Sequence, residues 1–460
     1  MKLWILTEER PKLEVLKQIL NKFSKDKNFS AFVDKLRILP LIENEKFTFT
    51  YEVIGFTCNK VERILIKTVS GNSSFVDFLV FFQEQEPKIE DEPLYAIEET
   101  KTDDSESRNT GVYQRCSKFV FLNYYYPNTK KIMLYNLQIK QKLAPTQTNI
   151  FGTRMLLNMG VEILGKELDN SIYKPFSSID ELIDYKANMK KPPAGNVPIT
   201  IVKYSEKIEI SGRLFKSGTL SHDPNIGALS IICAVIRILG WDKFLIITQH
   251  GLIQKNLTSK NKFILIANML SIKLLELTLP IVDINNDYWK YDKTGEKLGT
   301  IFIHIIVESF TEGYSIFENH AGCEKGYFIT SNGDHIPLEK YSDKEKYKNG
   351  DKSKIIHIPD LVLIDFGKNE VVNVEGKKYK LRFDGIRELK NYDYIEKNYI
   401  LKYYPNFKIQ RTVVLYGGKE KNILEVEIGF LLNENGELII GIKAPFLFKE
   451  AIKNLLDYWK

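Results

Sequence analysis

The sequence of 460 residues predicts an α/β protein with two similar cores joined by a mainly helical middle region. Three observations predict it. The first 140 residues alternate in the order helix, three or four strands, helix, strand. The last third returns to strand hairpin, helix, strand. The composition, 43% hydrophobic and 27% charged, is that of an ordinary globular chain and excludes a disordered, collagenous or coiled-coil one. The expected regions are 1–145, 146–299 and 300–460.

A short apolar run at 3–6 opens the chain. Leu13, Val15, Leu16, Ile19, Leu20 and Phe23 then follow helical spacing. Stretches rich in β-branched and aromatic residues at 47–56, 63–69, 75–82 and 94–99 read as strands, the last two separated by a polar loop. A helix is expected over about 108–122, with Ser105 or Ser107 as its cap, and a strand at 131–135. In the middle region helices are expected at 152–164, 226–239 and 262–277, and strands at 199–204 and 244–248. Lys190-Lys191-Pro192-Pro193-Ala194-Gly195 reads as an exposed connection. Further on, 301–309 reads as a strand and 327–337 as a hairpin around Asn332-Gly333. Strands at 355–364 and 370–375 flank a turn, a long helical stretch spans 385–403, and a strand follows at 409–415. Two more strands and a helix at 449–459 finish the chain.

No segment predicts a membrane span or a secretory leader. The apolar runs 226–241 and 263–279 are broken by Arg237 and by Lys273 and Glu276, short of the roughly 18 uninterrupted residues a span needs. The run at 3–6 meets Glu8, Glu9 and Arg10, unlike a signal peptide. Cys58, Cys116, Cys233 and Cys323 lie far apart without a C-x-x-C, so neither a zinc site nor a disulfide framework is expected, and a cytoplasmic setting is the default. Lys+Arg of 65 against Asp+Glu of 59 leaves +6, compatible with a nucleic-acid partner.

The chemistry concentrates in two hairpins. A turn centred between Gly367 and Lys368 sets Asp360 opposite Glu375, and strand alternation points Lys377 to the same face as Glu375. Two carboxylates and an ammonium then meet within a few ångströms. The strands at 75–82 and 94–101 repeat the construction. Reflection about Lys88 puts Asp77 opposite Glu99, with Lys101 two residues on. Paired carboxylates suit a hard divalent cation such as Mg²⁺, and a lysine beside them can serve phosphodiester hydrolysis. The plainer meaning of an acid–lysine pair is a solvated salt bridge, and Glu86-Pro87-Lys88 and Glu388-Leu389-Lys390 match Glu-x-Lys too. What distinguishes the chosen sets is the mirrored strands, apolar flanks and following helix and strand.

These residues resemble the PD-(D/E)xK nuclease superfamily, the fold of most type II restriction endonucleases. In that family Pro-Asp opens one strand and Glu-x-Lys closes the next inside an αβββαβ core. Pro359-Asp360 with Glu375-Gly376-Lys377 carries the full pattern, and Asp77 with Glu99-Thr100-Lys101 carries it without the proline, since Val76 precedes Asp77. Gln114 is placed like the glutamine that approaches the metal site in many members. The resemblance covers about 1–140 and 300–420. It implies two restriction-endonuclease-like cores and a Mg²⁺-dependent endonuclease acting on double-stranded DNA. Asp360, Glu375, Asp77 and Glu99 would be metal ligands, Lys377, Lys101 and Gln114 catalytic partners. Two different sites in one chain would suit cutting one strand each, as a working monomer or a homodimer. A repair or structure-specific nuclease would share the site, and a DNA-binding scaffold with one or both cores inactive is the reading from another class.

Weaker signals accompany these. Arg108 and Arg115, seven apart on one helical face, are placed to reach backbone phosphates or to form a solvated face. The segment from Ser221 to Gly227 could hold a phosphate but reads more commonly as a helix cap with proline in the first turn. His222, His250 and His320 show no metal-ligand spacing. The tyrosine-rich stretch 392–404 could stack on bases or pack on the sheet.

Overall fold

A computed structural model describes residues 1–43, 46–71, 75–100, 111–136, 146–189, 199–216, 219–220, 223–251, 262–283, 290–320, 327–330, 332, 334–337, 357–417, 430–432, 438–440 and 445–459. The chain is mixed α/β, with several sheets flanked by helices. It forms two compact units interleaved in sequence: Met1–Ser70, Gln83–Glu86 and Asp292–Lys460 make the first, Gly71–Phe82 and Pro87–Tyr291 the second. These divisions cut across the expected regions at 145 and 299.

The first unit opens with β1 (Lys2–Thr7) and α1 (Leu13–Lys27), whose Val15, Leu16, Ile19, Leu20 and Phe23 are buried at the predicted spacing. Asn28, with φ 52°, ends the helix in the left-handed conformation that a short polar side chain tolerates. β2 (Ala31–Glu43) and β3 (Lys46–Cys58) pair antiparallel, β3 pairs antiparallel with β4 (Arg63–Thr68), and β4 runs parallel to β1. β2 was not expected from the sequence. Its Pro40 argues against a strand, and here it is accommodated at the end of the strand order, beside a register shift.

In the second unit β5 (Phe78–Gln83) and β6 (Tyr95–Thr100) form an antiparallel hairpin. Helix α2 (Gly111–Tyr125) crosses to β7 (Lys130–Tyr135), parallel to β6, and α3 (Gln147–Asn158) leads to β8 (Glu162–Leu164), parallel to β7. After α4 (Ile179–Ala187) the same plan recurs. β9 (Ile201–Lys203) and β10 (Lys207–Ser211) are antiparallel, α5 (Asp223–Ile238) crosses to β11 (Phe244–Gln249), and α6 (Lys262–Met269) to β12 (Ile272–Leu274), both strands parallel to their predecessors. Helices α2 and α5 pack so closely that a Cβ on Gly227 would lie 1.6 Å from the Tyr113 carbonyl oxygen. The middle region thus carries a four-stranded sheet beside its helices. The helices expected at 152–164 and 262–277 end early, at turns through Gly160 (φ 70°) and Ser271 (φ 53°), and the rest of each apolar run forms a strand.

The first unit resumes with α7 (Glu296–Phe310), where 301–309 reads as a strand from sequence. Every residue from Leu298 to Val307 is buried. A helix apolar on all sides carries no 3.6-residue pattern, and its β-branched run imitates a buried strand. Strands β13 (Tyr314–Glu318), β14 (Tyr327–Ile329), β15 (His335–Pro337), β16 (Leu361–Asp365), β17 (Glu370–Lys378) and β18 (Lys408–Tyr416) follow. β14 and β15 are the expected hairpin. The main sheet runs β13-β16-β17-β18, antiparallel up to β17 and parallel between β17 and β18. Between these last two the expected single helix over 385–403 is a chain of short turns, α8 (Arg382–Glu388) followed by 3-10, α and π turns up to Ile400. The π turn places Glu396 to receive Asn373 Nδ2 at 2.6 Å and Arg411 Nε at 2.7 Å. Helix α9 (Phe446–Trp459) sends Asn454 Nδ2 to the Phe310 carbonyl at the end of α7, 2.7 Å away.

Contacts within this unit explain its composition. Arg10 and Glu8 pair with Glu308 and Lys297 of α7, Arg37 Nη2 donates to the Ser309 carbonyl at 3.0 Å, and Ser309 Oγ donates to the Ile38 carbonyl at 2.8 Å. Among the described residues no helix is long and apolar enough to cross a membrane.

Candidate active site

The turn at 366–369 decides the C-terminal site. Asn369 adopts φ 50°, and β16 and β17 pair from Asp365 opposite Glu370 to Leu361 opposite Val374. One step further, Asp360 faces Glu375, and the Gly376 amide donates to Asp360 Oδ2 at 2.8 Å. Lys377 Nζ donates to Glu375 Oε1 at 2.6 Å. Asp360, Glu375 and Lys377 thus meet as the turn predicts.

Glycine between Glu375 and Lys377 has a steric cause. A Cβ on Gly376 would lie 2.6 Å from Thr300 Cγ2, where α7 passes beneath the strand. Gly385 plays the same part for α8, since its Cβ would lie 2.9 Å from Lys377 Cγ and from Val413 Cγ1. That close approach delivers Glu388, whose Oε2 lies 2.8 Å from Lys377 Nζ. Tyr392, 1% exposed, donates its hydroxyl hydrogen to Glu375 Oε2. From sequence Glu388 is only a bystander match to Glu-x-Lys, and Tyr392 only the first of a tyrosine-rich stretch; neither is expected at this site. Their positions depend on a broken helical segment whose path no local periodicity specifies. Tyr399 and Tyr404 pack with Tyr392 in the core of the sheet, while Tyr394 and Tyr403 are exposed.

Burial and mutual repulsion dominate the electrostatics. Glu375 is pushed up to about 8 by burial first, then by Asp360 and a shared hydrogen bond with Glu388. Asp360 is pushed up to about 6, again by burial first, with Glu296 and Glu388 adding to it against the Gly376 amide and Lys377. For Lys377 burial works against the charge, but Glu375 and Glu388 overcome it and raise its pKa. The site holds more carboxyl groups than its one lysine can balance.

The N-terminal hairpin is shifted by one residue from expectation. Phe78 pairs with Ile97 and Val80 with Tyr95, which brings Asp77 opposite Glu98 rather than Glu99. The Glu99 amide donates to Asp77 Oδ2 at 2.6 Å, the counterpart of the Gly376 bond. Glu99 instead accepts Asn136 Nδ2 on Oε1 at 3.0 Å. The polar loop between the strands left the centre of reflection undetermined to within one residue, and one residue exchanges the two faces. Glu98 is 3% exposed and is pushed up to about 7 by burial first, then by Asp77. Its ammonium partner comes from α2: Lys118 Nζ lies 2.8 and 2.9 Å from the two Glu98 oxygens. Helix-borne Lys118 lies outside any Glu-x-Lys spacing, so no strand-based pattern could find it.

Lys101 and Arg108 lie outside the described residues. Gln114 is on α2, and only its backbone position is described. Arg115 turns inward, its Nε 3.1 Å from the Glu99 carbonyl and 3.4 Å from Glu98 Oε1. His250 Nε2 sits 3.2 Å from the Leu275 carbonyl, and Ser221 and His222 lie outside the described residues. Compared with known proteins, the chain matches no family model, no curated protein and no solved structure.

Proposed function

We propose that the chain is a Mg²⁺-dependent endonuclease that hydrolyses phosphodiester bonds of double-stranded DNA, akin to the PD-(D/E)xK restriction enzymes. One observation carries the reading: Asp360 and Glu375 face each other across a hairpin with Lys377 beside them. The element order α7, β13, β16, β17, helical turns and β18 supports it, as does the net charge of +6.

The donor set fits a hard cation. Asp360 and Glu375 would hold it, and the crowding that raises both carboxyls is what a divalent charge relieves. Bound Mg²⁺ supplies phosphate polarisation and a more acidic water. Lys377, kept protonated by Glu375 and Glu388, acts as a fixed positive charge toward a phosphate oxyanion rather than as a base. Tyr392 fixes Glu375 from behind, leaving its orientation little freedom.

Asp77, Glu98 and Lys118 form the second set in this reading, one site per strand. A specific observation favours a structural role for it instead. Both Glu98 oxygens are taken up by Lys118, and Arg115 adds a further cation. The test is incubation of purified protein with supercoiled plasmid and phage DNA, in Mg²⁺ or in EDTA, beside Asp360→Ala and Asp77→Ala. Discrete Mg²⁺-dependent fragments from wild type are expected, with opposite-strand nicks from the two variants. An Asp77→Ala protein that still cuts both strands assigns the N-terminal set to structure. An Asp360→Ala protein as active as wild type, or no cleavage of any DNA, overturns the reading.

A further inference from the structure

The buried stretch of α7 carries a single ionisable side chain, His304. It meets Glu318 from the end of β13 and His320 just beyond. The three are 0%, 7% and 5% exposed, and one ligand atom from each lies within 4.8 Å of the others. His304 Nδ1 stands 2.9 Å from His320 Nε2 and 3.6 Å from Glu318 Oε2.

The outer contacts orient this cluster. His304 Nε2 donates to Glu308 Oε1 at 2.9 Å. Glu308 also accepts the Ser315 amide on Oε1 at 3.0 Å and pairs with Arg10, so it is an acceptor. His320 Nδ1 lies 3.0 Å from Thr300 Oγ1, whose own hydrogen goes to the Lys297 carbonyl at 2.9 Å. The threonine oxygen therefore accepts from the ring. With the outer nitrogens so engaged, His304 Nδ1 and His320 Nε2 face each other beside the Glu318 carboxylate, in a site shielded from water.

Three ligand atoms from two imidazoles and a carboxylate converge within 4.8 Å, the spacing at which one divalent ion can take all three. Anchoring the outer nitrogen of each histidine on a carboxylate or hydroxyl is how ligating imidazoles are oriented. The 2.9 Å separation is near the roughly 3.3 Å expected between nitrogens bound tetrahedrally at about 2.0–2.1 Å. Two imidazoles and one carboxylate suit zinc rather than Mg²⁺.

We propose that His304 Nδ1, His320 Nε2 and the Glu318 carboxylate form a buried zinc site. Its place in the fold gives it work. Thr300 abuts Gly376, and the Asn319 amide donates to the Asp360 carbonyl at 2.6 Å. Zinc would clip β13 to α7 directly behind the carboxylates, and this holds whether or not the chain is a nuclease.

The test uses full-length protein expressed with zinc, freed of loose metal on a chelating resin and assayed by elemental analysis. About one zinc per chain is expected in wild type and in Asp360→Ala, and at least about tenfold less in His320→Gln and Glu318→Gln. Wild-type protein reloaded with Co²⁺ should show the visible absorption of a low-symmetry nitrogen and oxygen site, a readout that does not depend on the variants folding. Wild type that carries no zinc and shows no Co²⁺ band overturns the proposal, leaving a proton between the rings. Zinc lost from Asp360→Ala but kept in His320→Gln would also overturn it, by placing the metal at the carboxylates.

Discussion

Glu375 shows how one side chain joins stability to function. Its carboxyl and that of Asp360 bind protons more tightly in the folded chain than at their ordinary 4.5 and 3.8. Between those values and about 8 the native state therefore holds more protons than the unfolded one. Stability must fall as pH rises through that window. Mg²⁺ should reverse the loss, by about 2–3 kcal/mol at a hundred times its Kd. Thermal melts at pH 5 and pH 8 check this: the Mg²⁺ shift should be larger at pH 8, and an equal shift at both would place the ion elsewhere. Glu375→Gln is expected to lose cleavage by at least about a hundredfold, since its single amide oxygen cannot accept both Lys377 and Tyr392 and carries no charge for a cation.

At the scale of elements, register divides what was legible from what was not. A turn as short as 366–369 leaves little choice of pairing, and Asp360 opposite Glu375 followed from counting. The longer loop between β5 and β6 admitted two neighbouring registers, and the fold adopts the one that turns Glu98 to Asp77. If the N-terminal hairpin cuts DNA, Glu98→Ala should abolish nicking of its strand while Glu99→Ala keeps it. Strand-specific end-labelled duplexes give the answer, and the reverse pattern would contradict the site geometry. The misread α7 has a related cause. A helix surrounded by core has no polar face to reveal its period, so tertiary burial decides against strand propensity.

For the whole molecule, composition and periodicity indicated a mixed α/β chain but not which segments share a core. Residues 300–460 read as a self-contained region, yet α7 begins at Glu296 and is tied to Glu8, Arg10, Arg37 and Ile38. A fragment spanning 300–460 should therefore fail to fold, giving collapsed amide dispersion by NMR, while the full chain gives a dispersed spectrum. A dispersed spectrum from the fragment would show that the N-terminal strands are dispensable to that core. The sequence by itself determined the mixed α/β class, most strands and helices, and the meeting of Asp360, Glu375 and Lys377, because neighbours along the chain and a tight turn control them. Only tertiary structure decided on Glu98 over Glu99, on Lys118, Glu388 and Tyr392, and on the pairing of His304 with Glu318 and His320. Those groups come from segments whose separation in sequence carries no information about distance until the core has packed.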